Sequence, residues 1–314
     1  MFCTKIIFMR TSLIFILFLL IYQQPIIAQD SLNFNKSEII YGRKDGMALT
    51  MFMLSPKEHA NGKAIISVVS GNWMSSYNYA NTFVNSAKIY INRGYTVFTV
   101  MHASQPRYAI PNEIADIKRA VRFIRYNSNN YHIDGNHLGI TGASSGGHLS
   151  LMVGLFDDKI DSASKDPIDH VSARVQAVAV FYPPTDFLNW GQQEINLSSF
   201  QAALALSGVA GAFDFKVWND TLKLYQTANP ELKLEMVKQI SPIYFVTSDD
   251  PPVLIIHGDA DKTVPLQQSE TIIQKLKEAH VPNNFIIKNG GGHGWGKREV
   301  EEKNFVDWFD KYLK

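Results

Sequence analysis

Five apolar runs constrain the fold of this chain more than anything else in it: "AIISVVSG" from Ala64, "YTVFTVMH" from Tyr95, "HLGITG" from His137, "VQAVAVFYP" from Val175 and "PPVLIIHG" from Pro251. A strand with one wet face alternates apolar and polar residues. These runs are nearly unbroken and mostly β-branched, the pattern of strands covered on both faces in a parallel sheet. Helical stretches separate them. In "PNEIADIKRAVRFIRYN", Ile114, Ile117, Ala120, Val121 and Ile124 recur at helical spacing behind Pro111, and further helices are predicted over 80–92, 145–156, 267–279 and the terminal "EEKNFVDWFDKYLK". "NNFIIK" supplies a last strand. Ahead of the alternation, "EIIYGRK" and "MALTMFML" flank "KDG", which reads as an antiparallel hairpin. The expected fold class is α/β, a mostly parallel central sheet with helices on both faces.

The sheet pattern lapses between Phe187 and Asp250, a stretch rich in Ala, Leu, Gln and Asn with no strong strand, and resumes immediately afterwards. It is read as a mostly helical lid inserted over the carboxyl edge of the sheet within one domain, residues 29–314. At 314 residues and 46% hydrophobic content, the chain suffices for one large core with such an insertion. Residues 1–28 carry Lys5 and Arg10 ahead of an apolar stretch from Leu13 to Tyr22, then Pro25 and Ala28, the pattern of a cleavable signal peptide. Secretion, or release into a periplasm, is the expectation, with no stable membrane insertion after cleavage. The single cysteine, Cys3, would leave with the signal, so no disulfide is expected in the mature chain. Thirty basic and 29 acidic residues give a net charge of +1 with no block of like charge. That argues against nucleic acid and in favour of small neutral or mixed ligands.

The segment "GITGASSGGHLSLM" hands a buried strand over to a helix through G-x-S-x-G, as Gly142, Ala143, Ser144, Ser145 and Gly146. A sharp strand-to-helix turn brings neighbouring backbone so close that only small flanking residues fit, and it lifts the central Ser144 above the sheet edge at a helix N-terminus. A serine hydroxyl needs a base to become a nucleophile, and the base needs an orienting carboxylate. Later strand ends supply both. "LIIHGDADKTVP" offers Asp259 and Asp261, either of which could instead shape the turn, and "FIIKNGGGHGWG" offers His293. The chain order Ser, Asp, His is that of the α/β-hydrolases.

With those residues in place, the sequence resembles a serine α/β-hydrolase. It is most similar to the secreted esterase and lipase-like branch related to carbohydrate and feruloyl esterases and, more distantly, to the catalytic domain of prolyl oligopeptidases. The similarity runs from about Tyr41 to the C-terminus through "YGRKDGMALT", "GASSGGHLS", "YPPTDF", "SPIYFVTSDDPPVLIIHGDADKTVPLQQSE" and "GGGHGW". In the H-G-x-x-D-x-x-V-P pattern, the resemblance places the acid on Asp261 and leaves Asp259 as a turn residue. The chain departs from the branch where H-G-G-G-W usually follows the third strand: here it reads "VSGNW". An oxyanion hole uses backbone N–H groups, so Gly71, Asn72 and Ser145 are the expected donors.

His148 and His257 look structural, no spacing of His, Asp and Glu forms a metal site, and no cofactor is implied. Trp73, Trp190 and Trp295 are candidates to line a substrate pocket. The expected activity is hydrolysis of short-chain carboxylic esters, acetyl foremost, on a carbohydrate or another polar alcohol. The insertion supports it, because Gln192, Gln193, Asn196, Gln201, Trp218, Asn219 and Gln226 compose a hydrated cleft better than a lipase trough. Two other readings compete. One is an exopeptidase of the prolyl oligopeptidase type, for which the dozen residues between the predicted cleavage site and the first strand leave no room for the usual extra domain. The other is a non-catalytic binding protein that keeps the fold.

Overall fold

The computed structural model describes residues 33–156, 159–296 and 298–314. The predicted signal peptide, with Cys3, lies outside the described residues. The chain enters through β1 (Phe34–Lys44) and β2 (Met47–Pro56), antiparallel and joined at Asp45 and Gly46. Both turn residues have positive φ, 47° and 82°, which matches the right-handed twist of the flanking strands. Then follow β3 (Ala64–Val68), β4 (Thr96–Val100), β5 (Leu138–Ala143), β6 (Ala177–Phe181), β7 (Lys216–Asn219), β8 (Leu224–Thr227), β9 (Val253–Gly258) and β10 (Asn283–Lys288). Eight of the ten form one sheet in the order β1-β2-β4-β3-β5-β6-β9-β10, parallel from β4 to β10. Every residue of β3, β4, β6 and β9 is buried, the condition that their unbroken apolar runs predict.

Helices α1 (Tyr77–Ile91) and α7 (Glu299–Tyr312) cover one face of the sheet, and α2 (Ile110–Tyr126), α3 (Ser145–Leu155) and α6 (Gln267–Glu278) cover the other. On α2 the predicted stripe of Ile114, Ile117, Ala120, Val121 and Ile124 is the buried one. All residues of α3 are buried, so it carries no amphipathic stripe at all. Strand β3 lies between β4 and β5, so the chain leaves it for one neighbour and later returns for the other. A crevice opens over the carboxyl ends at such a switch point. The "VSGNW" turn leaves from β3 and the serine turn from β5, one on each side of it.

The insertion differs from expectation. It contains the short helices α4 (Gln201–Leu206) and α5 (Pro230–Gln239) and several 3₁₀ turns, but also β7 and β8, paired as an antiparallel hairpin. Trp218 and Tyr225 face each other across it, ring centroids 5.2 Å apart. Each strand has four residues and β8 is exposed throughout, so no apolar run marks them in the sequence.

Candidate active site

Strand β5 ends at Ala143 and α3 begins at Ser145, leaving Ser144 alone between them with φ 54° and ψ −124°. A residue with a Cβ keeps such a conformation only when its surroundings enforce it. Here the Ser144 N–H donates to Phe181 O (3.0 Å) and its carbonyl accepts from His148 N (2.9 Å). The turn is also packed to contact, since a Cβ on Gly142 would lie 2.4 Å from the Gly146 carbonyl. The glycines of the motif are therefore steric requirements of the turn.

The loops after β9 and β10 are laced to each other with equal closeness. A Cβ on Gly258 would fall 2.1 Å from Gly291 O, and Ala260 N donates to that same oxygen at 2.9 Å. Asp259 accepts from Gly290 N at 2.6 Å and so shapes the histidine loop. The Asp261 side chain is buried: one carboxylate oxygen accepts from Thr263 N and Val264 N, and the other accepts from His293 Nδ1 at 2.8 Å. Burial alone would raise its pKa. The hydrogen bonds from His257, His293, Val264 and Thr263 outweigh burial and hold the carboxyl well below the usual carboxylate range. His293 Nε2 then meets Ser144 Oγ at 2.9 Å, closing a chain from Asp261 to Ser144. His257 bonds to Ser269 Oγ and Val264 O inside the core. His148 accepts from Trp73 Nε1 (3.1 Å) and donates to Ile240 O (2.7 Å), and burial lowers its pKa to about 4, so it is a neutral support for Trp73.

The donors facing Ser144 need one correction. Gly71 N donates to Met74 O (3.0 Å) and Met74 N returns to Gly71 O (2.9 Å), so the Gly71 N–H is already used to close a tight turn. The two residues inside that turn, Asn72 and Trp73, both have positive φ, 52° and 54°. The N–H groups of Asn72 and Ser145 have no protein acceptor among the described residues, and both residues line the cavity with Ser144. The Ser145 hydroxyl points away, to Ser70 Oγ at 3.0 Å. Gln105 holds the turn in place: its Nε2 donates to Asn72 O (2.8 Å) and to Gly208 O of the insertion (2.7 Å), and its own N–H donates to Trp73 O (3.3 Å). No motif in "ASQPRY" signals that role, which exists only where β4, the turn and the insertion meet.

A cavity of about 370 Å³ opens at Ser144, walled by Trp73, Trp190, Leu197, Phe200, Leu204 and Val209. It is apolar, not the hydrated cleft expected from the insertion's composition. Gln192 and Gln193 are exposed, Asn196 caps the 3₁₀ turn at Leu197 and Gln201 bonds to Ser198 O, while Trp218, Asn219 and Gln226 belong to the outlying hairpin. Trp295 is a second correction. It packs edge-on against Phe181 (5.9 Å) and against Tyr182 (5.8 Å) on the α7 side, away from this wall.

A parallel sheet with this strand order, a serine turn at the switch point and a Ser-His-Asp chain define an α/β-hydrolase. Residues 51–276 match the BD-FAE family, and the chain belongs to it. Among curated relatives, it is 26% identical to Esterase LipQ of Mycobacterium tuberculosis over 68% of this chain and 46% of LipQ. The chain thus spans about half the length of that relative. Among solved structures, a truncated carbohydrate esterase from gut microbiota superimposes with a TM-score of 0.65 at 26% identity, covering 90% of this chain and 97% of the other. The acetyl ester-xyloside bifunctional hydrolase of Caldicellulosiruptor lactoaceticus shares the fold, with a TM-score of 0.66 at 24% identity over 88% and 96% of the two chains.

Proposed function

We propose that this protein is a serine ester hydrolase, exported from the cytoplasm, that removes short acyl groups, acetyl foremost, from carbohydrate or other polar alcohols. The observation that carries the reading is the continuous Asp261–His293–Ser144 chain, 2.8 and 2.9 Å, at the mouth of an apolar pocket. Ser144 Oγ attacks the ester carbonyl while His293 Nε2 takes its proton, and Asp261 holds the imidazole tautomer and stabilises its charged form. The oxyanion is received by the N–H groups of Ser145 and Asn72. His293 returns the proton to the departing alkoxide, and water, activated by the same imidazole, releases the acid and restores Ser144. The carbohydrate esterase and the acetyl ester-xyloside hydrolase among the structural neighbours support a sugar ester as substrate.

A second reading of the acyl group rests on the pocket itself. Its apolar wall of Trp73, Trp190 and Phe200 encloses more room than an acetyl group fills, which favours a larger or aromatic acyl group. Nitrophenyl esters from two to twelve carbons and an acetylated oligosaccharide, assayed with the wild type and Ser144→Ala, test both. Activity that falls with chain length, with acetate released from the sugar, supports the first reading. A maximum at larger acyl groups without acetate release supports the second. Equal turnover by wild type and Ser144→Ala sinks the nucleophile assignment and with it the whole proposal.

A further inference from the structure

A second cavity, of about 360 Å³, lies on the α1 and α7 side of the sheet. Its rim is set by two phenols and the serine turn. The Tyr79 hydroxyl lies against the "VSGNW" turn, 3.1 Å from where a Cβ on Gly71 would stand. The Tyr182 ring lies against the His293 ring, centroids 4.7 Å apart. Ala143, the residue before Ser144, forms part of the wall. The cavity therefore lies beside the serine turn, bounded by the phenol that touches the "VSGNW" turn and the phenol that touches the imidazole, and it shares no lining residue with the apolar pocket.

Its interior is of another chemical kind. Ser67, on β3, is 9% exposed and lines the cavity; its main chain is paired in the sheet, but its hydroxyl has no protein partner among the described residues. A hydroxyl so placed requires water or a ligand to complete its bonding. On the same wall, the Tyr90 and Thr141 hydroxyls engage each other. The Arg298 guanidinium sits over the Phe181 ring (5.2 Å), donates to Tyr182 OH (3.2 Å) and faces Glu302 (3.8 Å), so its charge is compensated within the wall. Hydroxyls that both donate and accept, aromatic faces and a balanced charge fit a neutral polyhydroxylated ring.

An ester has two halves, and the alcohol half must depart beside the imidazole that protonates it. We propose that this cavity is the subsite for the alcohol half and that the alcohol it takes is a sugar residue. The inference rests on the esterase reading and adds where the leaving group sits and what recognises it.

Two acetyl esters that differ only in their alcohol test it: 4-nitrophenyl acetate and an acetylated methyl xyloside. The ratio of kcat/KM for the sugar ester to kcat/KM for the nitrophenyl ester is measured in wild type, in Ser67→Ala, and in Ser86→Trp, which fills the cavity from the exposed side of α1. The ratio is expected to fall about three- to tenfold in Ser67→Ala, the loss of one neutral hydrogen bond, and at least about tenfold in Ser86→Trp. An unchanged ratio in folded variants overturns the subsite. So does a wild type that hydrolyses the nitrophenyl ester but not the sugar ester. A wild type that hydrolyses neither, nor any nitrophenyl ester from two to twelve carbons, overturns the esterase reading itself. If Ser86→Trp fails to fold, the ratio in Ser67→Ala decides.

Discussion

The loops after β5, β9 and β10 and the insertion over residues 187–250 converge on one serine but differ in what holds them. The loops are held by backbone: the serine turn by Phe181 O and His148 N, the acid and histidine loops by Gly258 against Gly291 and by the carboxylates of Asp259 and Asp261 on neighbouring amides. The insertion has main-chain bonds of its own, such as Leu197 N to Phe187 O and Ala228 N to Phe215 O, but leans more on side chains of short elements. Gln268, on α6, receives the amides of Thr185 and Asp186 and donates to the carbonyls of Asp186 and Asn189, while Trp190 stacks on Phe187. Backbone lacing fixes positions to a fraction of an ångström, which chemistry requires. Side-chain packing tolerates volume-conserving change, which substrate choice can use.

If the two regions divide the work in this way, substitutions in the loops must cost orders of magnitude more than substitutions in the insertion. The largest effect is expected for Ser144→Ala, with kcat reduced on the order of 10⁶-fold and no burst of acylation in rapid mixing with a chromogenic ester. Asp261→Asn follows, about 10⁴-fold in kcat, because the amide cannot hold the tautomer that offers Nε2 to Ser144. Asp259→Asn should cost far less, since among the described residues the Asp259 carboxylate bonds Gly290 N and no group of the proton path. Comparable losses at the two aspartates would dissolve the distinction between a residue in the proton path and one that shapes the loop.

Gln105 tests the boundary between the regions, because one amide group spans the oxyanion turn and the insertion. In Gln105→Ala the Asn72–Trp73 peptide loses its tether. The expected outcome is a fall of about 10- to 100-fold in kcat, with KM little changed and a matching loss of affinity for a boronic acid that mimics the tetrahedral state. A change confined to KM would assign Gln105 to substrate binding instead. A smaller effect is expected inside the insertion. Ala203→Phe narrows the apolar cavity from α4 and should lower kcat/KM for a six-carbon acyl chain about tenfold relative to acetyl. An unchanged chain-length profile would place the acyl group elsewhere.

The same contrast governs what could be read from the sequence. The parallel sheet was legible because strands buried on both faces must be written as unbroken apolar runs, and the serine turn because its close contacts require glycine at fixed offsets. The acid and base followed from their places just after strands, with the choice of Asp261 over Asp259 resting on resemblance. The Gly71 N–H was misassigned because its partner, Met74 O, depends on how "SGNW" closes. The insertion was misread because composition does not say which side of a 3₁₀ turn faces a cavity. Its polar residues cap turns and furnish a hairpin, while Leu197, Phe200, Leu204 and Val209, scattered without period, form the wall. Gln105 carried no signal, since its role arises only from tertiary contact.

The smallest predicted effect separates two carboxylates, one in each region. Asp261 is held well below the usual range by hydrogen bonds, whereas Asp250, at the joint where the insertion returns to β9, is raised to about 6, chiefly by burial and despite its bonds to Thr247. The signs are opposite. With a depressed folded pKa, Asp261 contributes stability above its unfolded pKa of about 4 that is lost as pH falls toward the folded value. With a raised folded pKa, Asp250 contributes a loss as pH climbs from about 4 to about 6, because the unfolded chain ionises there first. Asp250→Asn, which keeps an acceptor for Thr247 N, should therefore gain stability relative to wild type between pH 4 and pH 8. Allowing for screening at a partly hydrated site, the gain is about 1 kcal/mol. Urea unfolding of both proteins at pH 4, 6 and 8 measures it. A difference that does not vary with pH would show that Asp250 ionises as readily in the fold as outside it, and that this joint is wetter than the loop that holds Asp261.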